Sequence, residues 1–210
     1  MNFESRSFRE FRSSLASDAP TPGGGTASAA AGAMGASLLS MVLALTVAKE
    51  KFAAVAGELR PIAEEAERAG TRLEELMNED AASFDAMVAA RKLPKETDAE
   101  RAARARAMQD AAKRAAEVPM ETARCAATLL SRVPLVAEKG NPNAASDAGV
   151  AALLLASAAE GALLNVGINL GSIPDPGFVQ TMEKETATLS ADVERLRAQV
   201  IALVRKTFSK

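Results

Sequence analysis

The sequence predicts an all-α fold, a multi-helix bundle with long kinked helices that forms a single domain over residues 1–210. Apolar residues recur every three or four positions along most of the chain, and no stretch shows the alternation typical of a β-strand. Aromatic residues make up only 3% of the chain, without Trp or Tyr, so the core must consist of Ala, Leu, Val and Met. A chain of 210 residues is long enough to bury such a core in one domain.

The charge balance and the His and Cys content exclude several classes of function. The 25 basic and 27 acidic residues are interspersed, which provides no single-sign surface for a nucleic-acid backbone. No His and only one Cys are present, which excludes an internal disulfide bond and a Cys-based zinc site, and we expect no metal site. Acid–base chemistry is then left to carboxylates, lysines and water. The N-terminal stretch MNFESRSFREF has charges where a signal peptide needs an apolar run, so we expect a cytoplasmic protein.

The first predicted element is a short amphipathic helix over residues 3–15. Its apolar positions Phe8, Phe11 and Leu15 fall on one side of the helix. We expect the phenyl rings to pack on the small-residue helix that follows.

Two stretches are almost free of charge and rich in small residues. Residues 26–48 carry no charge, and residues 148–170 contain only Glu160. Both stretches are therefore long and apolar enough to be considered as membrane-spanning helices. Their composition, mostly Ala, Gly, Ser and Thr with few large side chains, and the absence of a basic flank on one side predict central helices of a soluble bundle instead of membrane spans. We expect Gly32 and Gly35 to let neighbouring helix backbones approach closely.

The next predicted helix carries an acidic residue on its apolar seam. Pro61 marks either a kink or the start of a new helix. Apolar residues then follow at helical spacing from Ile62 to Leu76, and the next position on this seam is Asp80. A carboxylate on a buried seam costs free energy unless it is paired or lines a cavity. The sequence leaves open whether Asp80 is functional or whether the buried surface has rotated by one position.

Helix boundaries in the second half follow from caps and prolines. Thr97 and Glu100 form a capping box for a helix that is expected to kink at Pro119 and to be ended by Pro134. The last helix is predicted to open at Asp175, directly before a proline.

Two loops rich in Gly, Pro and polar residues each lead into a small-residue helix. Residues 20–25 read PTPGGG, which indicates either a sharp turn before a core helix or a place where a ligand approaches the backbone. Residues 138–147 read EKGNPNAASD, and Ser146 or Asp147 is expected to cap the helix that follows. The repetition of this design predicts a polar pocket within the bundle.

The end of the second small-residue helix carries two amides. Asn165 and Asn169 lie one turn apart on the same face. Amides on an apolar face need hydrogen-bond partners, so they either satisfy a neighbouring helix or bind a ligand, and the sequence does not separate these two roles.

Five blocks of sequence, in order along nearly the whole chain, carry a resemblance to a known family. They are APTPGGGTASA from Ala19, LTVAKEKF from Leu45, DAASFDAMVAARKLPKET from Asp80, EVPMETA from Glu117, and EKGNPNAASDAGVAALL from Glu138 with ALLNVGINL after it. On these blocks the chain resembles the formiminotetrahydrofolate cyclodeaminases and methenyltetrahydrofolate cyclohydrolases, which include the C-terminal domain of formiminotransferase-cyclodeaminase. Two positions depart from the family pattern: Glu50 lies in a segment that is usually more basic, and Gly167 replaces a larger, often basic side chain.

The resemblance implies an all-helical homodimer that binds a tetrahydrofolate derivative and needs no cofactor beyond that substrate. It also implies two related reactions, release of ammonia from formiminotetrahydrofolate and ring opening of methenyltetrahydrofolate by water. As a hypothesis, Asp80 and Asp147 transfer protons or hold the pterin, and Lys51 orients or tunes them. The substrate-binding candidates are Pro22, Gly23, Gly24, Gly25, Lys49, Asn141, Asn143, Ser146, Asn165 and Asn169. An alternative is a non-catalytic folate-binding or scaffold protein with the same fold.

Overall fold

The computed structural model describes residue 3 and residues 5–208, and it confirms the all-α prediction. Over these residues no strand is present. Short 3-10 helices occupy Glu50–Phe52 and Pro142–Ala144. The α-helices are α1 (Phe8–Leu15), α2 (Gly24–Val47), α3 (Ala53–Arg91), α4 (Asp98–Leu130), α5 (Val133–Lys139), α6 (Ala145–Leu170) and α7 (Pro176–Thr207).

The small-residue helices α2 and α6 form an antiparallel pair at the centre of the bundle. The beginning of α2 packs against the end of α6: a β-carbon on Gly24 would lie 3.3 Å from the Asn165 side chain. In the middle, a β-carbon on Gly35 would lie only 2.9 Å from Leu155, and one on Gly32 would lie 3.1 Å from Leu73 of α3. The prediction that these two glycines allow close helix packing is therefore confirmed.

By length and composition, α2 and the segment Pro142–Leu170 would each be able to cross a membrane. In this structure their inner faces instead form the core, where Leu39, Leu43 and Leu155 are fully buried. Helices α3, α4 and α7 cover much of the remaining surface of this pair. The remaining faces of both helices are only partly covered within the described chain.

The first helix is shorter than predicted. It begins at Phe8 because Ser7 and Glu10 form a capping box that fixes its first turn. Phe3 lies outside the helix, yet it is buried against α2 and α3 and stacks edge-on with Phe11. Phe8 is 73% exposed, so the prediction that it packs on the small-residue helix is wrong.

Two prolines, Pro61 and Pro134, lie within helices. Helix α3 continues through Pro61 without interruption, so no new helix begins there. Helix α4 ends at Leu130, and Pro134 lies in the first turn of the additional short helix α5. Proline is accepted in a first turn because the amide it lacks has no partner within the helix there. The helix therefore ends shortly before Pro134, as expected, but Pro134 belongs to the next helix and does not itself end α4.

The expected caps of α6 also lie elsewhere. Ser146 and Asp147 are inside the first turn of α6. The N-cap residue is Ala144, whose side chain has no atom that accepts a hydrogen bond from the helix amides. The chain has already turned into the helix through the 3-10 turn Pro142–Ala144, so no polar cap is needed at Ser146 or Asp147. The carboxylate of Asp147 still interacts favourably with the helix dipole in this position.

A hydrogen bond from Asn169 compensates for the proline inside α4. Pro119 has no N–H to donate to the carbonyl oxygen of Ala115, four residues earlier. The side-chain Nδ2 of Asn169 donates to that oxygen at 2.6 Å. Asn169 therefore satisfies a neighbouring helix, which is one of the two roles that the sequence leaves open.

This compensation gives a testable stability prediction. Replacing Asn169 with Ala leaves the Ala115 carbonyl without its donor, and we expect the free energy of unfolding to fall by about 1 kcal/mol or more. In the Pro119→Ala background the new amide at position 119 supplies the missing donor, so the same change should have a smaller effect. Denaturant unfolding of the four proteins in this cycle measures the difference. Equal losses in both backgrounds would contradict the compensation.

Candidate functional site

The candidate site residues fall into two groups at opposite ends of the central helix pair. Helix α2 has 24 residues, so its two ends lie about 36 Å apart. The group at its beginning, the glycine end, comprises Pro22, Gly23, Gly24, Gly25, Asp80, Asn165 and Asn169. The group beyond its last turn, the asparagine end, comprises Lys49, Lys51, Asn141, Asn143, Ser146 and Asp147.

The interpretation that both loops form one pocket within a single chain is wrong. Each loop feeds the N-terminus of a small-residue helix, the first into α2 and the second into α6. Because these two helices are antiparallel, their N-termini point in opposite directions. The sequence similarity of the two loops therefore does not bring them together within the chain.

Asp80 of α3 caps the start of α2. The N-cap residue of α2 is Gly23, which offers no side chain. In its place, Oδ2 of Asp80 accepts a hydrogen bond of 2.7 Å from the hydroxyl of Thr26, and the carboxylate also accepts the backbone N–H of Thr26. An oxygen acceptor at this position satisfies an amide that the helix itself leaves unpaired.

The surroundings of Asp80 change its acidity. Burial between α2 and α3 raises the pKa of Asp80 above its ordinary value of 3.8, and the hydrogen bonds from Thr26 oppose that rise. Desolvation has the larger effect of the two. Asp80 is therefore a carboxyl group that binds a proton more tightly than an exposed aspartate, which is a property of general acids and bases.

The triple glycine lets Asp80 approach this closely. A β-carbon on Gly25 would lie 2.2 Å from Oδ1 of Asp80, well inside van der Waals contact. At Gly24 a β-carbon would press on Asn165, whereas at Gly23 the neighbourhood is less crowded. Pro22 is buried and follows a cis peptide bond. Gly25 thus has a steric reason to be glycine that concerns a specific carboxylate, beyond forming a turn.

Thr26 belongs to this site although sequence reasoning did not select it. Its side chain is fully buried, and the only signal in the sequence is its place directly after the triple glycine. The partner, Asp80, is 54 residues further along the chain, so no local pattern reveals the contact. Only the packing of α2 on α3 brings the two together.

The two amides of α6 at the glycine end are held in place by their own hydrogen bonds. Nδ2 of Asn165 donates to the carbonyl of Gly161 at 2.8 Å, one turn earlier in α6. Nδ2 of Asn169 donates to α4, as described above. Both side chains are half-buried, and Oδ1 of Asn165 lies beside Gly24 at the start of α2.

The asparagine end is tied to α2 by Asn141, which is 4% exposed. The Asn141 backbone N–H donates to the hydroxyl of Thr46 at 3.0 Å, and its Nδ2 donates to the carbonyl of Leu45 at 3.3 Å. Its Oδ1 accepts the backbone N–H of Asn143 at 3.2 Å. These contacts hold the loop against the last turn of α2, so Asn141 has a structural role.

The other polar residues of the asparagine end are open to solvent. Asn143 and Ser146 are exposed, and Asp147 is half-buried. Lys49 and Lys51 are exposed just beyond α2, and the Lys51 ammonium lies 4.8 Å from the centre of the Phe52 ring. The described part of the chain has no cluster of three or more His, Cys, Asp or Glu side chains that would suit a metal ion.

One surface of the central pair is apolar, and no element among the described residues covers it. Helix α2 has no charged residue, and α6 has only Asp147 and Glu160. Large apolar side chains on these two helices are between 40% and 78% exposed: Met34, Met41, Leu45, Val150, Leu153, Leu164 and Ile168. We call this surface the α2–α6 face. It extends from the glycine end to the asparagine end.

Comparison with known proteins places the chain in a family. The family model described as formiminotransferase-cyclodeaminase matches residues 7–188. A methenyltetrahydrofolate cyclohydrolase of Methylorubrum extorquens is 41% identical over 195 residues, which cover 93% of this chain and 94% of that protein. The formimidoyltransferase-cyclodeaminase of Sus scrofa is 33% identical over 193 residues, but the match spans only 36% of its length.

A solved structure supports the same relationship. The crystal structure of formiminotetrahydrofolate cyclodeaminase from Thermotoga maritima superposes with a TM-score of 0.86 and is 32% identical. The match covers 97% of this chain and 98% of that one. Sequence and fold agree over nearly the full length, and the chain belongs to the formiminotransferase-cyclodeaminase family.

Proposed function

We propose that the protein is an enzyme of folate one-carbon metabolism that acts as a methenyltetrahydrofolate cyclohydrolase, a formiminotetrahydrofolate cyclodeaminase, or both. The names of the Methylorubrum and Thermotoga relatives, which match along nearly the whole chain, support this proposal. The observation that carries it is the desolvated carboxylate of Asp80, held against the glycine turn by Thr26. The transferase activity in the name of the longer Sus scrofa relative is not part of the proposal.

Both reactions need a proton acceptor and a proton donor. In the cyclohydrolase reaction, water adds to the methenyl carbon and loses a proton, and cleavage of the bond to N5 gives the 10-formyl product. In the cyclodeaminase reaction, N10 attacks the formimino carbon and the nitrogen that leaves as ammonia gains protons. Asp80 in its ionised form accepts the proton from water or N10 and returns it to the leaving nitrogen. The amides at the start of α2 favour negative charge on this carboxylate.

We further propose that the active form is a homodimer in which the α2–α6 face of each copy covers that of the other. A two-fold axis perpendicular to α2, near its middle, places the start of α2 in one copy beside its end in the second copy. The glycine end of one chain then faces the asparagine end of the other, although the two lie about 36 Å apart within a chain. This arrangement unites all the candidate residues in two equivalent sites.

In this dimer the residues have distinct roles. Asp80 and the amide oxygens of Asn165 and Asn169 line one side of the site, and the folate approaches the backbone at Gly23 and Gly24. The second copy supplies Asp147 as the other proton-transfer group and Lys51 as the cation beside it. Lys49, Asn143 and Ser146 contact the substrate from the second copy, while Asn141 positions their loop.

Burial of the α2–α6 face in the proposed dimer also supports an expectation about where the protein is found in the cell. The exposed apolar side chains are then covered by protein, so no membrane is needed to shield them. We therefore expect a soluble cytoplasmic protein without nucleic-acid partners. No cofactor beyond the folate substrate is needed for the proposed chemistry.

The test of function uses the near-ultraviolet absorbance of 5,10-methenyltetrahydrofolate, which its hydrolysis products lack. We expect the protein to accelerate the loss of this signal above the spontaneous rate, or to release ammonia from formiminotetrahydrofolate. Folate binding with an unchanged rate in both assays would favour the alternative, a non-catalytic binding protein. Absence of both binding and turnover would contradict the proposal as a whole.

The hydroxyl of Thr26 gives a prediction about pH. This hydroxyl stabilises the ionised form of Asp80, so the change Thr26→Val raises the pKa of Asp80 further. The rate depends on ionised Asp80 and falls as the pH drops through this pKa. We therefore expect the acidic limb of the kcat/KM profile to move to higher pH in Thr26→Val and to stay in place in Thr26→Ser. An unmoved limb in Thr26→Val would contradict the assignment of that limb to Asp80.

A further inference from the structure

Three consecutive residues of α3 bind three different parts of the molecule. Oδ1 of Asn78 accepts the backbone N–H of Phe3 at 2.8 Å. The Glu79 carboxylate pairs with α4, and the Asp80 carboxylate accepts a hydrogen bond from Thr26 of α2. Because successive residues of a helix point about 100° apart around its axis, these contacts hold one turn of α3 from three sides.

Glu79 is the centre of a group of ion pairs that joins α3 to α4. Its Oε2 accepts a hydrogen bond from Arg114 of α4, and its Oε1 accepts one of 2.5 Å from Arg72, seven residues earlier in α3. Arg72 also donates through Nε to Glu121 of α4 at 2.8 Å. The Glu79 side chain is only 29% exposed. A single exposed ion pair contributes little, whereas a partly buried network of this kind is able to fix the relative position of two helices.

Apolar packing does little to fix the rotation of α3 at this turn. Met77 is the last large buried side chain of α3, and the buried residues after it are Ala81, Ser83 and Ala90. Small side chains make fewer contacts with their neighbours than Leu or Met, so they resist a rotation of the helix less. The polar contacts of residues 78–80 therefore decide the orientation of this turn.

The orientation of this turn decides where the Asp80 carboxylate lies. The end of a side chain is about 5–6 Å from the helix axis, so a rotation of about 10° displaces it by about 1 Å. Such a displacement changes the 2.7 Å hydrogen bond between Asp80 and Thr26 as well as the distance from Asp80 to the substrate. An error of about 1 Å in the position of a catalytic group lowers the rate by up to about a hundredfold.

We propose that Glu79 is a positioning residue for the reaction at Asp80, and that its ion pair with Arg114 fixes the rotation of α3 that the Asp80 carboxylate requires. This inference rests on the proposed function. In this role Glu79 acts through α3 on the neighbouring carboxylate and not on the substrate itself. Its loss therefore lowers kcat and has little effect on KM, because the other groups that bind the folate stay in place.

The test is the change Glu79→Gln, which keeps the shape of the side chain but removes its charge and one of its two acceptor oxygens. We expect kcat to fall at least about tenfold and KM to change by less than about twofold. The matched control is Glu185→Gln. Glu185 joins α7 to Arg124 of α4 through hydrogen bonds of 2.6 Å, and its side chain is 32% exposed, close to the value for Glu79. We expect the two variants to unfold at similar denaturant concentrations, with unchanged kinetics in the control.

Arg114 allows a second test that does not depend on the folding of the Glu79 variant. Arg114→Gln should lower kcat as Glu79→Gln does. Arg114→Lys should restore most of the activity, because Arg114 reaches Glu79 through one nitrogen and lysine also supplies a cation. The double variant Glu79→Gln/Arg114→Gln should be no slower than either single variant, since all three break the same contact.

Three results would overturn the positioning role. They are a normal kcat in folded Glu79→Gln or Arg114→Gln, equal losses of kcat in Glu79→Gln and Glu185→Gln, and additive losses in the double variant. Each of them leaves the proposed function intact if the wild type turns over folate and Asp80→Asn does not. A wild type without folate turnover would count against the proposed function itself, and with it against this inference.

Discussion

Replacing Asp80 with Asn lowers the turnover of 5,10-methenyltetrahydrofolate by at least about a hundredfold, the loss expected when a general acid or base is removed. Asn has nearly the same shape, and its side-chain oxygen is able to accept the hydrogen bonds that the carboxylate receives from Thr26. The change therefore removes proton transfer and retains the cap of α2. The assay is the near-ultraviolet decay of the substrate at saturating concentration.

Stability measurements separate this chemical role from the structural role of Asp80. Because its pKa is raised in the folded protein, Asp80 stabilises the fold below the ordinary aspartate pKa, and that contribution is lost as the pH rises through the raised pKa. Above the raised pKa the buried ionised group is unfavourable, so in that pH range Asp80→Asn should be no less stable than the wild type. Asp80→Ala lacks the cap and should lose about 1 kcal/mol. A folded Asp80→Asn variant with a near-normal rate would refute the proposed role in proton transfer.

The change Gly25→Ala should lower turnover by about a hundredfold as well, because it displaces the Asp80 carboxylate. The added β-carbon would lie 2.2 Å from Oδ1, so either the carboxylate rotates away from Thr26 or the start of α2 moves. Overpacking of this kind also lowers the free energy of unfolding by about 1–3 kcal/mol. Both effects are measured on the same purified variant, by the absorbance assay and by denaturant unfolding.

Gly57→Ala is the matched control for this substitution. Gly57 lies in α3 with no atom within 4 Å of an added β-carbon, so the same chemical change there meets open space. Ala is favoured over Gly inside a helix, and we expect a gain in stability of about 0.5–1 kcal/mol with unchanged turnover. If Gly25→Ala behaved like Gly57→Ala, the close contact between the triple glycine and Asp80 would not be needed for activity.

Much of the fold is predictable from local patterns in the sequence. Helical spacing and charge-free stretches predict the central helices, and the capping box at Thr97 and the cap at Asp175 fix the starts of α4 and α7. The seam of α3 correctly singles out Asp80 as a carboxylate in an unusual environment. The start of α1 is encoded by the capping box of Ser7 and Glu10, but the spacing of the phenyl rings suggests a longer helix.

The remainder of the site depends on contacts between distant segments. The hydrogen bond between Thr26 and Asp80 and the one between Asn169 and Ala115 each join residues 54 positions apart, and local periodicity carries no information about such pairs. The antiparallel packing of α2 on α6 decides that the two similar loops lie at opposite ends. Sequence reasoning therefore finds the chemical groups but not their grouping in space.

The proposed site shared between two copies is tested most directly by mixing inactive variants. We expect Asp80→Asn and Asp147→Asn to be inactive as homodimers, since each change disables both sites. In a mixed dimer, isolated with two different affinity tags, both substitutions fall in one site and the other site is intact. The mixed dimer should then regain about half of the wild-type activity. A dimer of wild type and Asp80→Asn, which also has one intact site, is the control. A mixed dimer as inactive as its parents, or an active monomer, would contradict the shared site.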